Sequence, residues 1–478
     1  MRSINDCHQK HLFSLVMALM LGLSLSGRTQ SLTPVEGLRD SAPGVHALTN
    51  VRIVAAPGQV IESGTIVIRR GVIEAIGPAV AIPADARVWD YGGKSVYPGL
   101  IETYSHLGLA QDQPAGREGN RRRGGEEATA EGLAHWSSRV RADYDVLEDY
   151  APDEKALKAL RAKGYTAALI VPHQGIFRGS SALVSLGDRP VKSQVIREKV
   201  AQHLSFSGRR RGGGYPNSLM GAIALIRQTL LDARWYQQAR AAGQANPALA
   251  GAVEHDAALE ALQAVLQKRL PLVIETGNDL AFLRALKLAK EFDLNIWIRG
   301  SGYEYRLGDQ LKEFAGIPLI LPVDFPEKLS ADTPEEAWEL SLRELQHWEL
   351  APENPRRLRE AGFQFSLTAP DFSKQLPRVL AHGVSEDDAL AALTINAAEM
   401  LGAGRSLGSI EPGKRAHLVV SDQDFFAEKR KIYDVWIDGE RYKINDRSSP
   451  LQEGSWQMTL ELPDQPSQAL VIILWISP

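Results

Sequence analysis

Apolar and polar positions alternate in short bursts at the start of this chain. Thr49-Asn-Val-Arg-Ile-Val54, Gly64-Thr-Ile-Val-Ile-Arg69 and Val72-Ile-Glu-Ala-Ile-Gly77 read as strands, punctuated by Pro57-Gly58, Arg70-Gly71 and Gly77-Pro78. They predict a small antiparallel β unit ending near Tyr97. From about 97 to 400 the pattern changes to short, wholly apolar runs alternating with amphipathic stretches. Ala167–Pro172, Pro271–Thr276, Asn295–Gly300, Pro318–Pro322 and Phe363–Thr368 read as buried parallel strands; Leu219–Ala242, Asp279–Phe292 and Pro334–Trp348 read as helices. That alternation predicts a (β/α)8 TIM-like barrel, an α/β fold with its active residues on the loops after the strands. Its third and fourth strands are not separable within 180–206. A helix opened by Ser385, with Asp388 placed for a capping box, closes the barrel. Strand patterns then return at Gly408–Lys414, His417–Asp422 and Ile432–Gly439. Strands at both chain ends most simply pair into one composite β-sandwich.

The expected organisation is a signal peptide (1–26), a linker (27–47), a sandwich (48–96 plus 403–445), a barrel (97–402) and a tail (446–478) that opens an incomplete β domain. The leader is read from Arg2, Lys10 and His11 ahead of the apolar run Leu12–Leu25, with Ser24 and Ser26 suited to cleavage. The run is shorter than the roughly 20 residues of a membrane-spanning helix. Export is therefore expected, to a periplasmic or secreted location. The single cysteine, Cys7, lies in that leader, which excludes thiol nucleophiles, thiolate metal ligands and disulfides from the mature chain.

The 478 residues, 44% hydrophobic and 23% charged, require more than one core. A formal charge of −4 argues against a nucleic-acid or membrane-surface partner. The runs Arg121–Gly125 and Arg209–Gly213 read as solvated loops. Gly-x-Ser-x-Gly, phosphate-loop and dinucleotide glycine motifs are absent.

Pro98-Gly-Leu-Ile-Glu102 followed by His106-Leu-Gly, Thr394-Ile-Asn-Ala-Ala-Glu-Met-Leu-Gly402, Leu407-Gly-Ser-Ile-Glu-Pro-Gly-Lys414 and Val435-Trp-Ile-Asp-Gly439 together resemble the amidohydrolase superfamily, in its imidazolonepropionase-like branch. The resemblance covers about 48–445. It implies a one- or two-metal site at the barrel mouth: His-x-His on the first strand, often a carboxylate or carboxylated lysine on the fourth, histidines after the fifth and sixth, and an aspartate after the eighth. Such a metal activates water against an amide carbonyl.

Here the first histidine of the pair is Tyr104, a poor zinc ligand beside imidazole or carboxylate; the second is His106. Glu275 stands near the fifth-strand position, Arg299 after the sixth, and Asp371 near the eighth. The resemblance thus implies Zn²⁺ or a similar divalent ion on His106, Glu275 and Asp371, with Asp371 also the general base, or no metal at all. Each has a plainer reading: His106 as a core-facing barrel residue, Glu275 paired with Arg299, Asp371 capping the helix near Phe372. Tyr104, His173 and Arg299 are candidate substrate contacts. Two functions follow from the resemblance. One is hydrolysis of C–N bonds in a small amide, cyclic amide or dipeptide-like molecule through a reduced metal site. The other is a catalytically inactive scaffold with a binding or assembly role, compatible with a homo-oligomer or with pairing to an active paralogue.

Overall fold

The computed structural model describes residues 44–110, 135–207, 215–246, 253–326, 332–368, 372–422 and 430–445, with a few single positions between them, and the backbone of 454–460 and 468–474. The expected leader, both arginine–glycine runs and Asp371 lie outside the described residues. So does most of the expected linker, although its end is already strand.

That strand, β1 (Val45–Ala56), starts inside the expected linker. It continues antiparallel with β2 (Gln59–Arg69), which pairs with β3 (Val72–Gly77). β4 (Arg87–Asp90) and β5 (Ser95–Pro98) both run parallel to β1. From the far end of the chain, β16 (Leu418–Ser421) joins β5, and β17 (Ile432–Ile437) and β18 (Glu440–Lys443) follow in order. The two ends of the chain therefore meet, as their strand patterns require. The result is one eight-stranded sheet rather than the two facing sheets of the expected sandwich, because β5 hydrogen-bonds to both β1 and β16 and leaves no break. Gly408–Lys414 is turn, not strand. Leu48, Ile53, Ile66 and Trp436 form the fully buried heart of the sheet domain. The Trp436 indole donates to the Tyr91 hydroxyl (3.2 Å), which donates to the buried Asp434 carboxylate (2.8 Å), so each polar group there is satisfied.

Gly99 links β5 to β6 (Leu100–Ser105). A Cβ at Gly99 would lie 2.2 Å from Thr166 Oγ1, so this crossing into the second domain admits only glycine. β6 pairs in parallel with β7 (Tyr165–Ile170). β7 then pairs with β9 (Ala182–Ser185), which runs antiparallel, and β9 with β10 (Val195–Arg197). A second sheet holds β8 (Phe177–Ser180), β11 (Gln202–Ser205), β12 (Leu272–Glu275), β13 (Ile296–Arg299), β14 (Leu319–Pro322) and β15 (Phe365–Thr368). From β11 onward its strands are parallel, and four of them match the sequence reading to within about two residues.

The expected barrel is thus present as two sheets, of four and six strands, with no closed eight-stranded ladder among the described residues. At one seam, β6 and β15 meet through side chains instead of a backbone ladder. Ser366 Oγ donates to Thr103 Oγ1 (3.0 Å), and Thr368 Oγ1 donates to Glu102. At the other seam, the stretch 180–206, whose strands the sequence did not separate, holds β9, β10 and β11, and with β8 before it makes an antiparallel excursion, β8–β9–β10. Helix Asp279–Phe292 falls as expected, whereas Pro334–Trp348 is two helices, Pro334–Glu339 and Leu342–Leu350, the second opened by a capping box on Ser341. Ser385 caps its helix, accepting from Asp388 N at 3.1 Å. The tail strands, β19 (Gly454–Leu460) and β20 (Gln468–Leu474), form a two-stranded hairpin. No described helix is long and apolar enough to cross a membrane.

Candidate functional site

Side chains alternate across a strand, so residues two apart share a face. On the inner face, Val273 and Trp297 join Ile101, Leu169, Leu183 and Ile320 in an apolar layer. Two residues further along, towards the carboxyl ends of the strands, that same face carries Glu275 and Arg299, which are register partners. His203 lies opposite Val273 in the ladder and Gly179 lies opposite His203, which brings Arg178 of β8 to the same place. Tyr104, at the end of β6, packs against the apolar layer from the remaining side.

Arg178 ties the cluster together. Its Nη1 donates to the Tyr104 hydroxyl (3.3 Å) and forms a close ion pair with Glu275. The Tyr104 hydroxyl in turn donates to Glu275 Oε2 (3.3 Å). Arg299 does not pair with Glu275, contrary to the sequence reading. Its Nη1 donates to the Gly300 carbonyl (2.8 Å), and its guanidinium carbon stands 5.2 Å from the Tyr104 ring centre. The ladder places Glu275 and Arg299 side by side, but the guanidinium of Arg178 reaches the carboxylate from β8, two strands away in the same sheet. His106 donates Nδ1–H to the Val171 carbonyl (2.6 Å), since a carbonyl can only accept, and this leaves Nε2 without a proton. The His106 ring lies 5.5 Å from Tyr104 and 5.3 Å from His173, and His203 lies 6.2 Å from Tyr104.

Burial, reinforced by Glu275, pushes the Tyr104 phenol far above its ordinary value, so it is protonated throughout the working range. Burial also lowers His106, and holds His203 well below its ordinary value with added repulsion from Arg178 and His106. In the sheet domain burial lowers His417 against the pull of Asp438. Below about pH 6.5 the unfolded chain takes up protons that these folded imidazoles refuse, so unfolding free energy rises with pH through this window. The urea midpoint should therefore fall between pH 7.5 and 5.5, each imidazole adding up to about 1.4 kcal/mol per pH unit. His203→Leu should flatten that slope; an unchanged slope would mean that His203 is protonated in the folded chain.

Gly179 lets β8 come close enough to place Arg178. It has φ +109°, and a Cβ there would lie 2.2 Å from the Tyr144 carbonyl oxygen. Gly179→Ala is expected to cost on the order of 3 kcal/mol through strain and overpacking, read as a lowered thermal midpoint. A variant as stable as the parent would show that β8 is not held in this register.

Of the six residues the sequence reading named, the structure gathers Tyr104, His106, His173, Glu275 and Arg299 in one cluster, while Asp371 lies outside the described residues. The sequence reading missed Arg178 and His203. The signal for His203 is Gln202-His-Leu-Ser205, too short to register as a strand; Arg178 lies in an antiparallel excursion that a parallel-barrel template does not contain.

The matching family profile, described as "Amidohydrolase family", covers residues 364–442. Imidazolonepropionase of Deinococcus radiodurans is 27% identical over 388 residues, spanning 77% of this chain and 87% of that protein. Imidazolonepropionase of Deinococcus deserti is 25% identical over 454 residues, 87% of this chain and 98% of that one. In sequence the chain is thus similar to the amidohydrolase superfamily, in its imidazolonepropionase-like branch. Among solved structures, an amidohydrolase from Thermotoga maritima superposes with a TM-score of 0.66 at 23% identity, covering 83% of this chain and 99% of that one. Phenylurea hydrolase B superposes at 0.51 with 16% identity, covering 84% and 97%. At such identities these likenesses establish the fold: a TIM-barrel-like domain with a sheet domain.

The superfamily hydrolyses C–N bonds and generally uses divalent metals, so the donors here can be tested against that equipment. Tyr104 is a protonated phenol where an imidazole is expected. Glu275, the carboxylate expected to hold the ion, already holds a guanidinium. Among the described residues no three His, Cys, Asp or Glu side chains converge as a metal site. The described donor set, as arranged, does not fit the family's metal centre.

Proposed function

We propose that this chain is an amidohydrolase-fold binding protein in which the guanidinium of Arg178 stands where the family places its cation. The observation that supports this reading most strongly is the bridge Tyr104–Arg178–Glu275. It joins the first-strand and fifth-strand ligand positions through a fixed positive charge instead of an ion. The ligand in this reading is a small amide or cyclic amide, held at the carboxyl ends of the barrel strands by Tyr104, His173 and Arg299. The two strand sheets act as one barrel closed by side chains at the β6–β15 seam.

A second reading has one specific observation in its favour. His106 gives its Nδ1–H to a backbone carbonyl and presents a bare Nε2, the outer-shell arrangement of metal-ligating histidines. On that reading His106, Glu275 and Asp371 hold one metal and Asp371 serves as base, which requires Arg178 to release Glu275.

The two readings separate on turnover. A panel of small amides, cyclic amides and dipeptides, offered with and without added Zn²⁺, should give no product above that of a His106→Ala variant. Metal-stimulated turnover that His106→Ala abolishes would reverse the order of the two readings.

A further inference from the structure

The connection from β14 to β15 carries the two helices Pro334–Glu339 and Leu342–Leu350, and neither contains a buried residue. Trp338 is 90% exposed, Leu342 is 69% exposed, and Leu345 and Trp348 are exposed as well. Leu342, Leu345 and Trp348 stand three residues apart, which makes them one slanting stripe on the second helix. Trp338 ends the first helix on the far side of the short joint Leu340–Ser341. Helices of six and nine residues do not hold in water by propensity; a packed apolar face normally stabilises them. Here the inward contacts come from Arg343 and His347, one turn apart. The His347 ring stacks on Tyr303 with centres 3.8 Å apart, and Arg343 reaches Asp279 at 3.8 Å. At 3.6 residues per turn, the apolar stripe lies on the opposite side of the helix from that anchor. It faces solvent.

The rim of the stripe is acidic. Asp332, Glu335, Glu336, Glu339, Glu344 and Glu349 stand against Arg343 alone between 332 and 350, an excess of five negative charges. Asp279 and Arg306 beside it pair at 3.3 Å and add no charge between them. Burial lowers His347, with repulsion from Arg306 and Arg343, so the imidazole is neutral. A second copy of this chain would bring the same excess against the same face, and an anionic lipid surface would be repelled likewise. The charge selects a basic partner.

We propose that this helical pair docks a basic, amphipathic polypeptide segment of another protein. The apolar side of that segment covers Trp338, Leu342, Leu345 and Trp348, and its lysines or arginines meet the acidic rim. Exposed tryptophans with a charged rim are the usual make-up of such a contact. The inference stands apart from what the barrel mouth holds.

Hydrogen exchange of the full chain, read by mass spectrometry, tests it with a synthetic amphipathic leucine–lysine peptide as the probe. In the free chain the amides of 334–350 should exchange fast, and alike at every protein concentration. Saturating peptide should slow them at least tenfold, while a leucine–glutamate peptide of the same pattern should not. Binding of the labelled peptide, followed by fluorescence anisotropy, should weaken at least tenfold in Trp338→Ser with Leu342→Ser. Glu339→Gln with Glu349→Gln should weaken it as well and flatten its salt dependence. All four positions are exposed, so both variants should keep the parental near-UV circular dichroism. Slow exchange of 334–350 in the free chain at every concentration would show that the chain covers its own stripe. Slow exchange that grows with protein concentration would make a second copy the occupant. Either result, no protection by the lysine peptide, or undiminished binding in the serine variant would overturn the proposal.

Discussion

Tyr104→His combined with Arg178→Ala is expected to turn a chain that retains little zinc into one that carries close to one ion per molecule. Histidine at 104 restores His-x-His on β6, and removal of Arg178 frees the Glu275 carboxylate that it now occupies. His203, neutral and with its Nε2 unpartnered among the described residues, stands 6.2 Å ring to ring from position 104 and adds a donor on the fourth-strand side. Imidazole and carboxylate donors at about 2.0–2.2 Å suffice for a zinc site with an open position. Zinc affinity, measured by competition with a chelator, should rise by two orders of magnitude or more over the parent. Either single variant should gain far less. Tyr104→His keeps a cation against the site, and Arg178→Ala keeps a protonated phenol in it. A folded double variant with parental zinc affinity would show that position 104 and Glu275 do not converge as described.

The second large effect concerns stability. Glu275→Ala leaves Arg178 in the barrel without its carboxylate, and its side chain is only 11% exposed. Breaking one side of a buried pair is far more costly than replacing both partners. With Glu275 partly open to water, the loss is expected to be about 3 kcal/mol, at the low end for such pairs, read from urea unfolding at pH 7.5. Glu275→Gln keeps an acceptor and should lose less. Glu275→Leu with Arg178→Met should recover most of the loss, since it removes both desolvated charges together. A loss in the paired replacement as large as in Glu275→Ala would mean that the ion pair is a net stabiliser of the fold.

The parts of the fold legible in the sequence were those whose pattern is local and repeated. β12 to β15 are apolar runs buried on both faces, and each stands beside a helix or turn signal, so their positions could be read directly. The meeting of the chain ends followed from strand patterns alone. The single continuous sheet did not, because it depends on β5 pairing on both edges, which no local pattern encodes. The excursion β8–β9–β10 was hidden for a related reason: its strands are three or four residues long and all three of its pairings run antiparallel.

The candidate site divides in the same way. Loss of the first histidine is visible at Tyr104, and the surviving His106 and Glu275 are visible beside it. The partner of Glu275 is not visible, because Arg178 lies 97 residues before its carboxylate and reaches it from β8, a short strand antiparallel to β11. Cross-strand adjacency pointed to Arg299 as the partner of Glu275. The longer reach of Arg178 from β8, two strands away, decided otherwise, and Arg299 lies over the Tyr104 ring.

In the proposed reading a guanidinium takes the cation's place in this barrel. Its most direct test is the zinc content of the full chain, incubated with excess Zn²⁺, desalted and measured by elemental analysis. Well below one ion per chain is expected, unchanged by His106→Ala. One ion per chain, lost on His106→Ala, would contradict it.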